Sequence, residues 1–208
     1  MDLSLKANKH LSPIVDLDPM RIRASALRRP DLLKPVIPLE HWGLPWPVKR
    51  GIWDRFSRPF ADHPTYREVE SLIAANLDFE RLPSFRSALH NIHTKGSARS
   101  RALRRNRQFS SERALRTHFE TVANLINGIR EHGYDCDKGG PIGLGVGRKG
   151  QLIKMKHGHH RLAIAQLLGV PSIRFAIVAV HPKWLRRHIT RDQLKAVRSE
   201  LPALISEA

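Results

Sequence analysis

A change in hydrophobic period between residues 111 and 180 constrains the fold of this chain most strongly. Over residues 111–131 apolar side chains recur every three or four positions, which predicts an amphipathic helix carrying Leu115, Phe119, Val122, Ile126 and Ile129 on one face. His132-Gly133 is the expected stop, because glycine readily adopts the left-handed conformation that ends many helices. The next segment, PIGLGVGRKGQLIKMK, alternates instead and predicts two strands joined by a hairpin turn at 147–150.

The same region continues with a short apolar helix and a strand. HHRLAIAQLLG has Leu162, Ala165 and Leu168 on one face and Gly169 as its cap, and VPSIRFAIVAV (170–180) is typical of a buried strand. The pattern therefore predicts an α+β fold, with a small mixed sheet flanked by helices. We predict three segments: a Pro-rich arm packed on the core (1–50), a helical extension with a basic loop (51–110), and a core with a C-terminal helix (111–208).

Further helices are predicted from their starting signals. Asp62 or His63 can cap a helix that has Pro64 in its first position, a second short helix is expected from Ser84, and a last one from Thr190. Seven prolines within residues 1–50 exclude a long helix there, and its recurring apolar residues favour short extended pieces over a disordered tail.

Charge and cysteine content limit the classes of function. The chain has 36 Lys and Arg against 19 Asp and Glu, a formal charge of +17. This excess favours polyanionic partners, although a general solubility device is an equally good explanation. The single cysteine, Cys136, excludes a disulfide within the chain and a Cys-rich zinc site. With no signal-peptide pattern and no apolar run near the ~18–20 residues that span a bilayer, we expect a cytoplasmic protein without a membrane partner.

The segment KHGHHRLAIAQLLG (156–169) is the main candidate for function. Gly158 falls at a strand-to-helix turn, where free backbone N–H groups and the positive end of a helix dipole favour an anion. Arg161 adds a fork of donors suited to phosphate oxygens, and His159 and His160 can donate further hydrogen bonds. With Lys156 nearby, these residues predict a phosphate or carboxylate site.

The histidines have two alternative interpretations, a zinc site and a purely structural role. Zinc accepts His ligands, but His159 and His160 are adjacent and diverge at a helix start, and no Asp or Glu lies within ten residues on either side. We therefore assign no metal to this segment. The remaining alternative is a set of histidines that only hydrogen-bond the local backbone.

The segment from about Phe119 to His181 resembles the ParB/sulfiredoxin-like superfamily. The resemblance rests on the ordered set VANLINGIREHGYD, GGPIGLGV, GQLIKMKHGHHRLAIAQLLGV and PSIRFAIVAV. It implies that the G-x-x-R turn holds the phosphates of a nucleotide, a role that Gly158, His159, His160 and Arg161 inherit. The sequence departs from relatives in two places: His159 stands where sulfiredoxins carry cysteine, and His157 stands where small-molecule kinases carry an acid. Because only 27 residues of this sequence follow His181, we do not expect the helix-turn-helix domain that follows this core in partition proteins.

Asp54 is the candidate catalytic acid. KRGIWDRF, together with HPKW after the last strand, looks like a ParB-like group that carries a G-x-W-D motif before the core. Trp53 would anchor this segment, and Asp54 could accept a proton or hold Mg²⁺. The alternative is an Asp that caps a turn beside a buried Trp. Glu40 is a weaker candidate.

These observations lead to two hypotheses from different classes. The first is a ParB-like nucleotide- or phosphate-binding protein that uses ATP or CTP with Mg²⁺ as a small-molecule phosphotransferase or phosphohydrolase, with Asp54 and His160 as catalytic groups. The second is a non-enzymatic DNA- or RNA-binding protein. Its contacts to backbone phosphates come from the basic loop, through Arg101, Arg104, Arg105 and Arg107, and from C-terminal Arg186, Arg187, Arg191 and Lys195.

Overall fold

The computed structural model describes residues 14–25, 48–99, 108–135, 139–188 and Ile205. Within these residues the fold is α+β, as predicted. The strands are β1 (Ile14–Leu17), β2 (Arg23–Ser25), β3 (Ser57–Pro59), β4 (Ala98–Arg99), β5 (Gln108–Phe109), β6 (Ile142–Val146), β7 (Leu152–Lys156) and β8 (Ile173–Val180). The helices are α1 (Pro64–Ala74), α2 (Pro83–Lys95), α3 (Glu112–His132), α4 (His159–Leu167) and α5 (Pro182–His188).

The chain divides into two compact units. The first, here called the sheet unit, comprises Met1–Pro59, Cys136–Gly158 and Pro171–Ala208. The second, the helical unit, comprises Phe60–Asp135 and His159–Val170. The predicted division into an arm, a helical extension and a core stays a prediction, since residues 26–47 of the arm lie outside the described part of the chain.

A six-stranded mixed sheet forms the sheet unit, in the order β1-β8-β6-β7-β2-β3. β8 and β6 are parallel neighbours, as are β7 and β2, whereas the other pairs are antiparallel. All five residues of β6 are buried, as expected of a central strand covered on both faces. The expectation of short extended pieces in the first 50 residues is confirmed for β1 and β2, which both join this sheet.

Trp53 anchors the loop before β3 in the core of the sheet unit. Its side chain is fully buried against Ile153, Met155 and Ala179, and its indole N–H donates to the carbonyl of Lys49 over 2.9 Å. A Cβ on Gly145 would lie 2.9 Å from the Trp53 ring, so glycine is required at that position of β6. The predicted anchoring role of Trp53 follows from this packing.

The helical unit contains α1 to α4 and the short pair β4–β5. α1 begins as predicted, with Pro64 in its first turn and His63 Nδ1 accepting a hydrogen bond from the N–H of Thr65. α3 is also confirmed, since Ser111 Oγ accepts from the N–H of Ala114 and Gly133 ends the helix with a positive φ of 75°. The buried face of α3 comprises Leu115, His118, Phe119, Val122, Ile126 and Ile129.

Other sequence predictions met different outcomes. The hairpin β6–β7 and the short helix α4 are confirmed, while the strand expected from residue 170 starts at Ile173. α5 was not predicted, and the helix expected from Thr190 lies outside the described residues. The basic loop 95–111 contains the paired strands β4 and β5 at its two ends.

Among the helices that the structure describes, none is long and apolar enough to cross a membrane.

Candidate metal centre

Three helices of the helical unit bring together one carboxylate and two imidazole rings. Glu68 comes from α1, His118 from α3 and His160 from the first turn of α4. Glu68 Oε1 lies 3.0 Å from His118 Nε2 and 3.4 Å from His160 Nε2. One ligand atom from each residue lies within 4.8 Å of the other two. The three side chains therefore converge on one point from three separate elements.

These separations suit a bound metal ion. Zinc holds His nitrogens at about 2.0–2.1 Å and carboxylate oxygens at about 2.0–2.2 Å, so neighbouring ligand atoms of a tetrahedral site lie about 3.4 Å apart. The two Glu–His separations, 3.0 and 3.4 Å, are close to that edge length. The three ligand atoms lie within 4.8 Å of one another, an upper limit that exceeds this edge length, so the side chains would have to rotate to share one ion.

The electrostatics keep Glu68 ionised. Burial would raise the pKa of its carboxyl, but hydrogen bonds and favourable charge interactions with His118 and His160 outweigh burial and lower the pKa to about 2. The Glu68 and His118 side chains are only 9% and 7% exposed. A buried carboxylate of this kind carries its full negative charge at neutral pH, which favours a cation at the centre.

Aromatic rings pack against His118, and the centre has contact with solvent. The His118 ring packs 5.4 Å from that of Phe109 and 5.3 Å from that of Phe119, centroid to centroid. His118 also lines a cavity of about 450 Å³ between β5 and α3, and the His160 side chain is 25% exposed. A water molecule or a small ligand can therefore reach the centre through its exposed side.

Sequence reasoning missed Glu68 and His118, although a signal for both was present. His118 lies on the buried face of α3 between Leu115 and Val122. Glu68 lies three residues after the buried Thr65 and four before the buried Leu72 of α1. Polar residues with ligand chemistry on the core-facing stripe of a helix need a buried partner. The identity of that partner could not be read from sequence, because Glu68 and His160 are separated by 92 residues.

The residues of the GHHR segment (158–161) make different contacts from one another. His157 and Gly158 both have positive φ, 52° and 73°, and α4 begins at the next residue. The His159 ring stacks on that of His63, with centroids 4.9 Å apart, whereas His160 faces Glu68.

Arg161 donates to the hydroxyl of Tyr134 over 3.1 Å. The predicted strand-turn-helix is thus present. The side chains of His159, His160 and Arg161 each contact another element of the helical unit to which they belong. The phosphate-binding role assigned to these residues stays a prediction.

Asp54 occupies a different environment within the sheet unit. Its side chain is fully buried, and its oxygens accept three hydrogen bonds from Arg148: from the backbone N–H (2.7 Å), Nε (2.8 Å) and Nη2 (2.8 Å). Burial would raise the pKa of Asp54, but these bonds and the nearby His181 hold it below its usual value. The geometry supports the alternative weighed from sequence, an Asp that fixes a turn beside a buried Trp.

The roles predicted for the remaining residues stay predictions. Glu40, Arg101, Arg104, Arg105, Arg107, Arg191 and Lys195 lie outside the described residues. Lys156 is the last residue of β7.

Fold and site together define the class of protein: an α+β chain with a candidate two-histidine, one-carboxylate centre. Comparisons of the chain with protein-family models, with curated proteins and with solved structures give no match. The ParB/sulfiredoxin-like resemblance accordingly stays a prediction, and the function has to be argued from the geometry.

Proposed function

We propose that the helical unit binds a divalent transition-metal ion, Zn²⁺ in first place, through Glu68, His118 and His160. The observation that carries the proposal is the convergence of three ligand atoms within 4.8 Å from three different helices. Neutral imidazole and carboxylate ligands suit zinc. Among the described residues three supply ligands, which leaves a fourth position of a tetrahedral ion for a water molecule or a substrate. This open arrangement is the one that catalytic zinc sites use.

The proposed activity is metal-dependent hydrolysis. A zinc ion with three protein ligands lowers the pKa of a bound water to about 7 and polarises a carbonyl or phosphoryl oxygen. Since His160 lies in the first turn of α4, the positive end of that helix is beside the centre and favours an anionic substrate. The phosphohydrolase expected from sequence is the specific case of this proposal in which the hydrolysed substrate is a phosphate ester.

Metal titration tests the centre directly. Protein stripped with a chelator should take up one Zn²⁺ per chain in a competition titration with a chromophoric chelator. Glu68→Gln and His118→Ala should each lower the affinity by more than about a hundredfold, since even residues that only orient a ligand contribute about 10- to 100-fold. X-ray absorption spectra at the zinc edge should show two imidazole nitrogen ligands.

Two variants on the same helices provide matched controls. Glu70→Gln removes an exposed carboxylate of α1, and His132→Ala removes an exposed imidazole of α3. Both should retain the affinity of the wild type for zinc. Unchanged affinity in Glu68→Gln and His118→Ala would disprove the centre. Zinc binding without hydrolysis of a phosphomonoester such as p-nitrophenyl phosphate would leave a metal-binding protein and remove the hydrolase.

A nucleotide-binding function is the second candidate. It is supported by the positive φ of Gly158 immediately before α4, which is the backbone arrangement expected of a phosphate-binding turn. Calorimetric titration with ATP, ADP and CTP in the presence of Mg²⁺ tests it. Binding that Arg161→Ala weakens supports this function, and absence of binding, or equal binding by that variant, rejects it.

A further inference from the structure

The positive charge of the chain is distributed unequally between the two units. Over its full sequence the sheet unit has 23 Lys and Arg against ten Asp and Glu, a formal charge of +13. The helical unit has 13 basic and nine acidic residues, a formal charge of +4. Solubility does not require the positive charge to be concentrated in one unit, whereas a binding surface for a polyanion does.

One end of the sheet collects much of this charge. The N–H of Lys49 donates to the carbonyl of Val180, and the N–H of His181 donates to the carbonyl of Val146. Arg148 Nη2 donates to the carbonyl of Gly51 over 2.6 Å. These bonds hold the segment 48–55, the turn 147–150 and the start of α5 together at the end where β6 and β8 finish.

The exposed cations of these three segments form what we call the basic end of the sheet unit. It comprises Arg50, Arg55, Lys149, Lys183, Arg186 and Arg187, all exposed. Asp54 is the single acid in the described ranges 48–59, 139–158 and 171–188, and it is buried in its pair with Arg148. The exposed charge of the basic end is therefore not neutralised by any acid of those ranges.

Exposed apolar side chains lie among these cations. Phe56 is 53% exposed and Ile52 is 45% exposed, although each is a large hydrophobic residue. Between them the chain turns, with the N–H of Arg55 donating to the carbonyl of Ile52. The order along the segment is thus Arg50, Ile52, Arg55 and Phe56, cations alternating with apolar groups, while Trp53 is buried beneath them.

We propose that the basic end of the sheet unit binds single-stranded nucleic acid, with its cations on the phosphates and the Phe56 ring stacked on a base. Lys and Arg along a groove or surface bind the backbone, and exposed aromatic rings accept bases of any sequence. Base stacking is available in a single strand and is denied in an intact duplex, so the exposed ring favours the single strand. An anionic membrane shares the charge preference, but one ring and one aliphatic side chain offer little surface to insert.

Binding of a fluorescent single-stranded oligonucleotide, about 20 nucleotides of dT, tests the proposal by anisotropy at several salt concentrations. The triple variant Arg55→Ala/Lys149→Ala/Lys183→Ala should weaken binding by about tenfold at low salt and reduce the slope of log K against log salt by about 2, because each lost phosphate contact removes about 0.7. Phe56→Ala should weaken binding of the single strand by about tenfold and Phe56→Trp should restore it, because stacking needs an aromatic face.

A triple variant of the helical unit is the matched control. Arg81→Ala/Arg113→Ala/Arg130→Ala removes the same charge from exposed positions outside the basic end and should leave both affinity and salt slope within about twofold of the wild type. Glu68→Gln should also bind normally, so failure of the metal centre and failure of this surface are distinguishable. Absence of binding at low salt, or equal losses in the two triple variants, would overturn the proposal. Tighter binding to a duplex of equal length, or to phosphatidylserine vesicles, would also overturn it.

Discussion

The two units each contain a buried carboxylate, and the partners of the two carboxylates differ. In the sheet unit Asp54 is paired with Arg148, whose guanidinium and backbone N–H fill its acceptor positions. In the helical unit Glu68 faces the Nε2 atoms of His118 and His160. Burial alone would raise the pKa of both acids, and in both cases the partners lower it instead.

The nature of the partner decides what each carboxylate can do. A guanidinium keeps its proton at every ordinary pH, so the charge of Asp54 is permanently paired with that of Arg148. An imidazole can give up its proton and offer a lone pair to a metal ion. Similar burial therefore produces a structural ion pair in one unit and a candidate metal centre in the other.

Removal of Arg148 should have the largest effect on stability. Arg148→Ala leaves the Asp54 carboxylate buried without its cation and also removes the bond to Gly51, so we expect a loss of about 3–5 kcal/mol in the free energy of unfolding. Chemical denaturation with urea measures it. Lys149→Ala, at the exposed neighbouring position, should change stability by less than about 0.5 kcal/mol. A loss below 1 kcal/mol in Arg148→Ala would show that the pair does not hold the turn.

Zinc should stabilise the protein through Glu68 and not through Asp54. At a free zinc concentration 100 times its dissociation constant, a ligand that binds only the folded state adds about 2.7 kcal/mol to the free energy of unfolding. We expect this gain in the wild type and in Glu70→Gln, and its loss in Glu68→Gln. Thermal denaturation with and without zinc measures it. An equal gain in Glu68→Gln would locate the stabilising ion elsewhere.

Local structure could be predicted because its causes lie close together in sequence. The apolar stripe of α3, its Ser111 cap and Gly133 are all within one segment, as are the alternating residues of β6 and β7. The left-handed Gly158 before α4 also follows from a glycine between a strand and a helix pattern. For these elements the local preferences and the final fold agree.

The two carboxylate sites could not be predicted in the same way. Arg148 reaches Asp54 across 94 residues, and His118 reaches Glu68 across 50. No sequence spacing specifies which buried acid meets which base, because that depends on how helices and strands pack. Consequently His160 was recognised as a functional candidate from sequence, but its partners were found only in the folded chain.

The pH dependence of stability should distinguish Glu68 from Asp54, with a smaller expected effect than the two predictions above. Because the folded-state pKa of Glu68, about 2, lies below the ordinary value of 4.5, its contribution to stability is complete above pH 4.5 and is lost as the pH falls toward 2. For metal-free protein we expect the wild type to lose about 2 kcal/mol more than Glu68→Gln between pH 6 and pH 3. Asp54 titrates with the same sign in both proteins, so its contribution cancels in the difference.

Urea denaturation at each pH measures this difference, with Glu70→Gln as the control that should follow the wild type. Parallel profiles for wild type and Glu68→Gln would mean that the two histidines do not stabilise the ionised carboxylate. The pairing that supports the metal centre would then be absent in solution, while the Asp54–Arg148 pair would be unaffected by the result.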